Sequence, residues 1–328
     1  MNTKDILNNI LELGYINYTS DKVNKRVPIL IPPKFSVHKD RVPIFLQYFN
    51  DYLNYHASKN NIIDINYYFT LYDAWREHAE PSKNPIFVDA TEELLEMYKG
   101  KGSAGEPGRF IQPQNIKDIF PIFNHKVLAF GRHKNDPYTV MIPDTDFMKT
   151  KGYVELKQEI DRDDIKWEDK KSKMFWRGGC HGFGYSAYDP ILKRCQRQIL
   201  IDLSLQKGIG SGNKWLDAKA SYSSPKKEFL RYKYQIDIDG EVNAWSALWW
   251  KLYSNSVVFK VDSHYEQWYY KDLKEWEHYI PVKGDLSDLE EKYKWAIEND
   301  EKCKEIAQKG KEFISKMTYD YVLENCKF

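Results

Sequence analysis

The chain has 328 residues, with 49 basic against 48 acidic side chains and a net charge of +1. That length supports one large or two medium domains, each with its own core, and two are expected. Without a concentrated positive face, the balance excludes sequence-independent binding to nucleic acid. No window is apolar over the length needed to span a bilayer. Aromatics make up 15%, including 10 Trp and 24 Tyr, and such flat amphipathic faces suit sugar rings, cores and interfaces alike.

In chain order, Met1 to Glu12 reads as an amphipathic helix without the uninterrupted apolar run of a secretory signal, so a cytosolic location is expected. An extended Pro-rich segment, Val27 to Pro33, precedes a helix from Arg41 to His56 with Ile44, Phe45, Tyr48, Phe49 and Leu53 on one face. Tyr67 to Tyr72 has a strand pattern stopped by Asp73. Pro85 to Val88 is an apolar run, Glu92 to Tyr98 reads as a helix, and Gly100 to Gly108 as a loop. Lys126 to Phe130 is a further strand, and Val140 to Asp144 leaves the first half of the chain.

The second half opens near Lys151 with dense charge, as a solvated helix and linker require. Strands at Lys173 to Trp176, Tyr234 to Ile238 and Val257 to Val261 alternate with helices at Ile191 to Leu205 and Ala244 to Tyr253. Trp245, Leu248, Trp249, Leu252 and Tyr253 fall on one stripe of the latter. Ser287-Asp-Leu-Glu290 has the form of a capping box, opening a helix with Leu289, Tyr293, Ala296 and Ile297 on a shared face. A last helix carries Cys303, Ile306, Ala307, Phe313 and Ile314. Strands separated by helices point to an α/β architecture. Cys180, Cys195, Cys303 and Cys326 show no metal-ligand or redox spacing and read as reduced thiols.

Two segments carry the chemistry. Tyr234-Gln-Ile-Asp-Ile-Asp-Gly-Glu-Val-Asn-Ala-Trp-Ser246 runs from a strand through an acidic Gly turn into a helix, whose first N–H groups form an anion seat. Upstream, Lys173-Met-Phe-Trp-Arg-Gly-Gly179 ends a strand in an arginine and two glycines. Arg177 suits bidentate pairing with phosphate, with Gly178 and Gly179 permitting close backbone approach; a surface arginine at a strand end is the competing reading. Together the segments suggest a diphosphate pocket. Asp237 and Asp239 are expected to share one side of their strand with Gln235, while Ile236 and Ile238 bury the other; Asp239-Gly240 is also ordinary turn chemistry. The triplets Asp144-Thr-Asp146 and Asp237-Ile-Asp239 have the form that holds a divalent cation on a nucleotide diphosphate, although so short a pattern arises easily by chance. Asp73, at a strand's carboxyl end, is either the cap of the next turn or a base that takes a proton from an attacking hydroxyl. His264 and His278 lie in an aromatic segment and lack metal-ligand spacing.

As an ordered set, Lys173 to Gly179, Lys233-Tyr-Gln-Ile-Asp-Ile-Asp-Gly240 with Asn243-Ala-Trp-Ser246, Ser256-Val-Val-Phe-Lys260, Trp276-Glu-His-Tyr-Ile-Pro-Val282 and Asp285-Leu-Ser-Asp-Leu289 resemble glycosyltransferase family 90, over roughly residues 170 to 320. The resemblance implies a GT-B enzyme with two Rossmann-like domains facing across a cleft. Residues 1–150 would form the acceptor-side domain, 151–300 the nucleotide-sugar domain and 301–328 a C-terminal helical segment. It implies an inverting transfer from a UDP-sugar, UDP-xylose or UDP-glucose, to a glycan hydroxyl. No metal is obligatory, Mg or Mn being allowed. Asp73 matches the family's base. Arg177 matches the arginine of its aromatic-Arg-Gly motif, with Gly178 and Gly179 beside it. The seat is completed by Asp239, Gly240, Asn243, Ala244, Trp245 and Ser246. Where secretory members place an arginine just inside this helix, the chain has Trp245, Ser246 and Ala247, so Arg194 or Arg197 would supply that charge. Two rivals are an Asp-x-Asp metal-dependent transferase and a non-catalytic carbohydrate-binding scaffold.

Overall fold

The computed structural model describes residues 15–20, 23–30, 41–59, 67–70, 74–75, 126–134, 139–179, 195–205, 215–221, 223–240 and 242–326. The chain forms two compact units, one of residues 1–149, 265–268 and 320–328, the other of residues 150–264 and 269–319. The expected helices at 1–12 and 92–98, the run at 85–88 and the loop at 100–108 lie outside the described residues.

In the first unit, β1 (Tyr15–Ser20) and β2 (Val23–Leu30) form an antiparallel hairpin. β3 (Tyr67–Thr70), β5 (Lys126–Ala129) and β7 (Thr139–Met141) extend it in parallel, in the order β1-β2-β3-β5-β7. β4 (Ala74–Trp75), β6 (Gly131–His133) and β12 (Tyr265–Gln267) make a small second sheet. The helix α1 (Arg41–Ser58) buries Phe45, Tyr48, Phe49 and Leu53, as its periodicity predicts, and packs on α2 (Thr145–Lys149).

The second unit holds α3 (Val154–Asp163), β8 (Lys171–Gly178), α4 (Gln196–Leu205), β9 (Leu216–Ala220), α5 (Lys226–Phe229), β10 (Tyr232–Asp237), α6 (Ala247–Tyr253), β11 (Val257–Val261), β13 (Ile280–Val282), α7 (Leu289–Glu298) and α8 (Asp300–Ser315). A last helix, α9, spans Tyr319–Asn325. The five strands pair in parallel in the order β13-β11-β10-β8-β9. Ranked along the chain this is 2-1-3-4-5, a doubly wound sheet. Alternation sorts its side chains. Met174, Trp176, Tyr234, Ile236, Ile238, Val257 and Phe259 join the core with Leu200 of α4, Leu289 and Ala296 of α7, and Cys303 and Ile306 of α8. On the other face Phe175 stacks on Tyr232 at 4.2 Å and meets Phe229 edge-on at 4.9 Å, and Phe229 meets Trp250 at 5.2 Å.

Three local expectations are corrected. The helix after β10 begins at Ala247, not Ala244. Ser287 does not cap α7: Asp288 holds the N-cap position, and its Oδ1 accepts the Lys283 amide at 2.9 Å. Ile297 is 44% exposed, so the buried stripe of α7 runs through Leu289 and Ala296. Cys195, Cys303 and Cys326 are free thiols, and burial pushes Cys303 up to about 12.

Candidate functional site

In a doubly wound sheet the ligand crevice opens at the carboxyl ends of the two strands between which the chain reverses direction. Here those strands are β8 and β10, and the two motif segments are their carboxyl ends. Arg197 spans them. Its Nη1 donates to the Gly179 carbonyl at 3.1 Å and its Nη2 to the Ile238 carbonyl at 3.2 Å, while its guanidinium lies 5.6 Å from the Trp176 ring centroid. A Cβ on Gly240 would stand 3.2 Å from Arg197 Nη2. A larger residue at Gly240 would need the Arg197 guanidinium to give by a few tenths of an ångström.

The loop beyond Gly240 is tied from within. Asp239 accepts from Asn243 Nδ2 at 2.6 Å through Oδ1 and from Ser263 Oγ through Oδ2. Burial pushes the Asp239 carboxyl up to about 6, against the pull of Lys260, the Ser263 hydroxyl and Arg197. Asn243 and Ala244 are buried, and Trp245 and Ser246 half-buried. Ser246 is the N-cap of α6, with no side-chain cap bond. The structure thus brings Asp239, Gly240, Asn243, Ala244, Trp245 and Ser246 into one turn beside Arg197 and the Gly179 carbonyl.

Asp237 lies on the Gln235 face of β10, opposite Ile236 and Ile238, as the period of two requires. There its Oδ1 accepts from Lys251 Nζ at 2.8 Å, with both side chains about 5% exposed. Gln235 shares that face and donates to the Phe229 carbonyl at 3.2 Å.

Two expected residues stand elsewhere. Arg177 is held on the Phe175 face: its Nη2 pairs with Asp217 Oδ1 at 2.9 Å, its Nη1 donates to the carbonyls of Trp176 and Asp217 at 2.9 and 2.8 Å, and it covers the Phe175 ring at 4.2 Å. Its guanidinium is committed to the β9 edge and does not meet the Asp239–Ser246 turn, whereas Arg197, on the Trp176 face, does. On the Cβ side of Gly178 the Trp176 indole fills the space, since a Cβ there would lie 2.7 Å from the ring. Asp73 and Arg194 lie outside the described residues.

Of the triplet carboxylates, Asp144 Oδ1 accepts the amides of Asp146 and Phe147 at 2.9 and 3.1 Å, an N-terminal cap for α2. Among the described residues no three His, Cys, Asp or Glu gather as a metal ligand set. Sequence reasoning missed Ser263, Lys251 and the placement of Lys260. Lys251, set among Trp249, Trp250 and Leu252, carries a legible signal, because a lysine inside an apolar helical run needs a buried partner.

The family model described as Glycosyl transferase family 90 matches residues 113–326, well over half the chain. Protein O-glucosyltransferase 2 of Danio rerio is 37% identical over 158 residues, 45% of this chain and 29% of that protein. Protein O-glucosyltransferase 3 of Homo sapiens is 48% identical over 83 residues, 25% of this chain and 16% of that protein. The chain therefore spans less than a third of the length of either. A solved glycosyltransferase from Rickettsia africae ESF-5 covers 88% of this chain and 81% of its own at 9% identity, with a TM-score of 0.36, too low to bear on the fold. Strand order, motif placement and the family match converge, and the chain belongs to glycosyltransferase family 90.

Proposed function

We propose that the protein is an inverting glycosyltransferase of GT-B type that transfers a sugar from a UDP-sugar to a hydroxyl of a glycan, without an obligatory metal. The observation that carries this is the fixed cation at the switch point. Arg197, held on two backbone carbonyls and beside Gly240, presents positive charge where the loop Gly240 to Ser246 turns into α6. A leaving diphosphate gains charge as the glycosidic bond breaks, and a preorganised guanidinium stabilises that charge without reorganising. The similarity to two protein O-glucosyltransferases supports glucose ahead of xylose as the donor sugar. Asp73 acts as the base that deprotonates the acceptor hydroxyl as it attacks the anomeric carbon.

Calorimetric titration with UDP, UDP-glucose, UDP-xylose and a GDP-sugar, with and without EDTA, tests this reading. One UDP-sugar bound selectively and slowly hydrolysed in the presence of EDTA is the expected result. No nucleotide binding under any condition would overturn it and favour a sugar-binding scaffold.

A further inference from the structure

A cavity of about 300 Å³ opens at the carboxyl ends of β11 and β13. It adjoins the crevice through the chain itself. Asp262 in its wall precedes Ser263, which bonds Asp239, and Gln196, next to Arg197, donates to the carbonyls of Asp262 and Gly284 at 3.0 and 2.8 Å. Its charged lining is Lys260, Lys283 and Lys292 against Asp262, Glu275 and Asp288, three of each sign and formally neutral.

That balance decides the ligand class. A phosphate placed here would face three carboxylates and gain no net attraction. A sugar hydroxyl donates and accepts at once, so a wall carrying both ammonium donors and carboxylate acceptors satisfies it from either side. An aromatic surface is also present. Tyr279 lines the cavity, and Trp276, next to the lining Glu275, is 38% exposed. The Trp276 backbone is left-handed, at φ 61°, and is held by its N–H donating to the Tyr279 carbonyl at 2.7 Å. Lys292 lies 4.5 Å from the Trp276 ring centroid and Trp295 meets it edge-on at 4.9 Å. A bulky residue held in that conformation with its ring exposed is not accounted for by burial, and such strain gathers at ligand clamps.

We propose that this cavity, with Trp276 beside it, is a saccharide subsite that takes a neutral sugar unit of the acceptor glycan and no part of the nucleotide. The assignment to the acceptor rests on the glycosyltransferase reading above; the binding of neutral sugar does not.

The test uses the full chain with neutral probes, xylo- and cello-oligosaccharides and maltotriose, followed by saturation-transfer NMR and calorimetry, with UDP titrated separately. Trp276→Asn tolerates the left-handed backbone, and Glu275→Gln keeps the side chain's shape. Each is expected to weaken oligosaccharide binding about tenfold while UDP affinity stays within about twofold. The proposal is overturned if the wild type binds none of the probes, if both variants bind them normally, or if Glu275→Gln loses UDP. Oligosaccharide binding without UDP binding by the wild type would sink the donor reading and leave the subsite standing.

Discussion

Arg177 and Arg197 compete for one role, and their surroundings separate them. Arg177 is bound to Asp217 and two carbonyls with its side chain 9% exposed, while Arg197 stands at the switch point against Gly240. Arg197→Ala is expected to lower UDP affinity by about thirtyfold, roughly 2 kcal/mol, as truncating a half-buried charged donor does. Arg177→Ala is expected to cost about 2 kcal/mol of stability by leaving Asp217 with only the longer Lys219 pair at 3.8 Å, with UDP affinity nearly unchanged. Calorimetry and urea unfolding of the two variants decide between them, and the reverse pattern would restore Arg177 to the site. Asp239 provides a pH test. Its folded value of about 6 stands above the ordinary carboxyl value of about 3.9. The fold therefore prefers the protonated form, a contribution present below pH 4 and lost as pH rises through 6. Wild type should lose stability relative to Asp239→Asn between pH 4 and 7 in urea unfolding, and parallel curves would show the shift to be absent.

At the scale of elements, two glycines report packing that no motif predicts. A Cβ on Gly178 would meet the Trp176 ring at 2.7 Å, and one on Gly310 of α8 would meet the His278 carbonyl at 2.7 Å. Alanine at a solvent-facing position in mid-helix gains up to about 1 kcal/mol over glycine. Gly310→Ala is nonetheless expected to destabilise by about 1 to 3 kcal/mol, since the backbone carbonyl cannot yield as a side-chain tip can. Gly178→Ala is expected to cost a similar amount. Thermal unfolding checks both, and a raised Tm for Gly310→Ala would show that α8 shifts to accommodate the methyl. Elements with strong periodicity, α1 and β11, stand where the sequence places them. β9 escapes sequence reasoning because Leu216-Asp-Ala-Lys-Ala220 is an edge strand with low strand propensity, supported by pairing with β8. The sequence starts this helix at Ala244, but α6 begins three residues later, with Asn243 held in the turn by its bond to Asp239.

At the scale of the molecule, the proposed chemistry needs a base, and Asp73 is the residue proposed for it. Asp73→Asn is expected to leave UDP affinity within about twofold while lowering turnover by 10²-fold or more, as loss of a general base does. Donor hydrolysis and transfer assays measure this, and unaffected turnover would sink the assignment. Full activity in EDTA is expected alongside it, since Asp237 is engaged by Lys251 and Asp144 caps α2. Among the described residues no helix is long and apolar enough to cross a membrane.

By itself the sequence determined the α/β class, the buried face of α1 and the two segments that end β8 and β10, because hydrophobic period and Gly-bearing turns are local properties. Tertiary structure alone decided which arginine lies against Gly240. Arg177 and Arg197 are both plausible in one dimension, and only the strand order, which sets β8 beside β10, and the pleat, which turns Arg177 toward Asp217, separate them. The same holds for Ser263 on Asp239 and for the cavity beside Trp276. Each joins residues far apart in the chain, and such meetings are fixed by how the strands pair and not by any local preference.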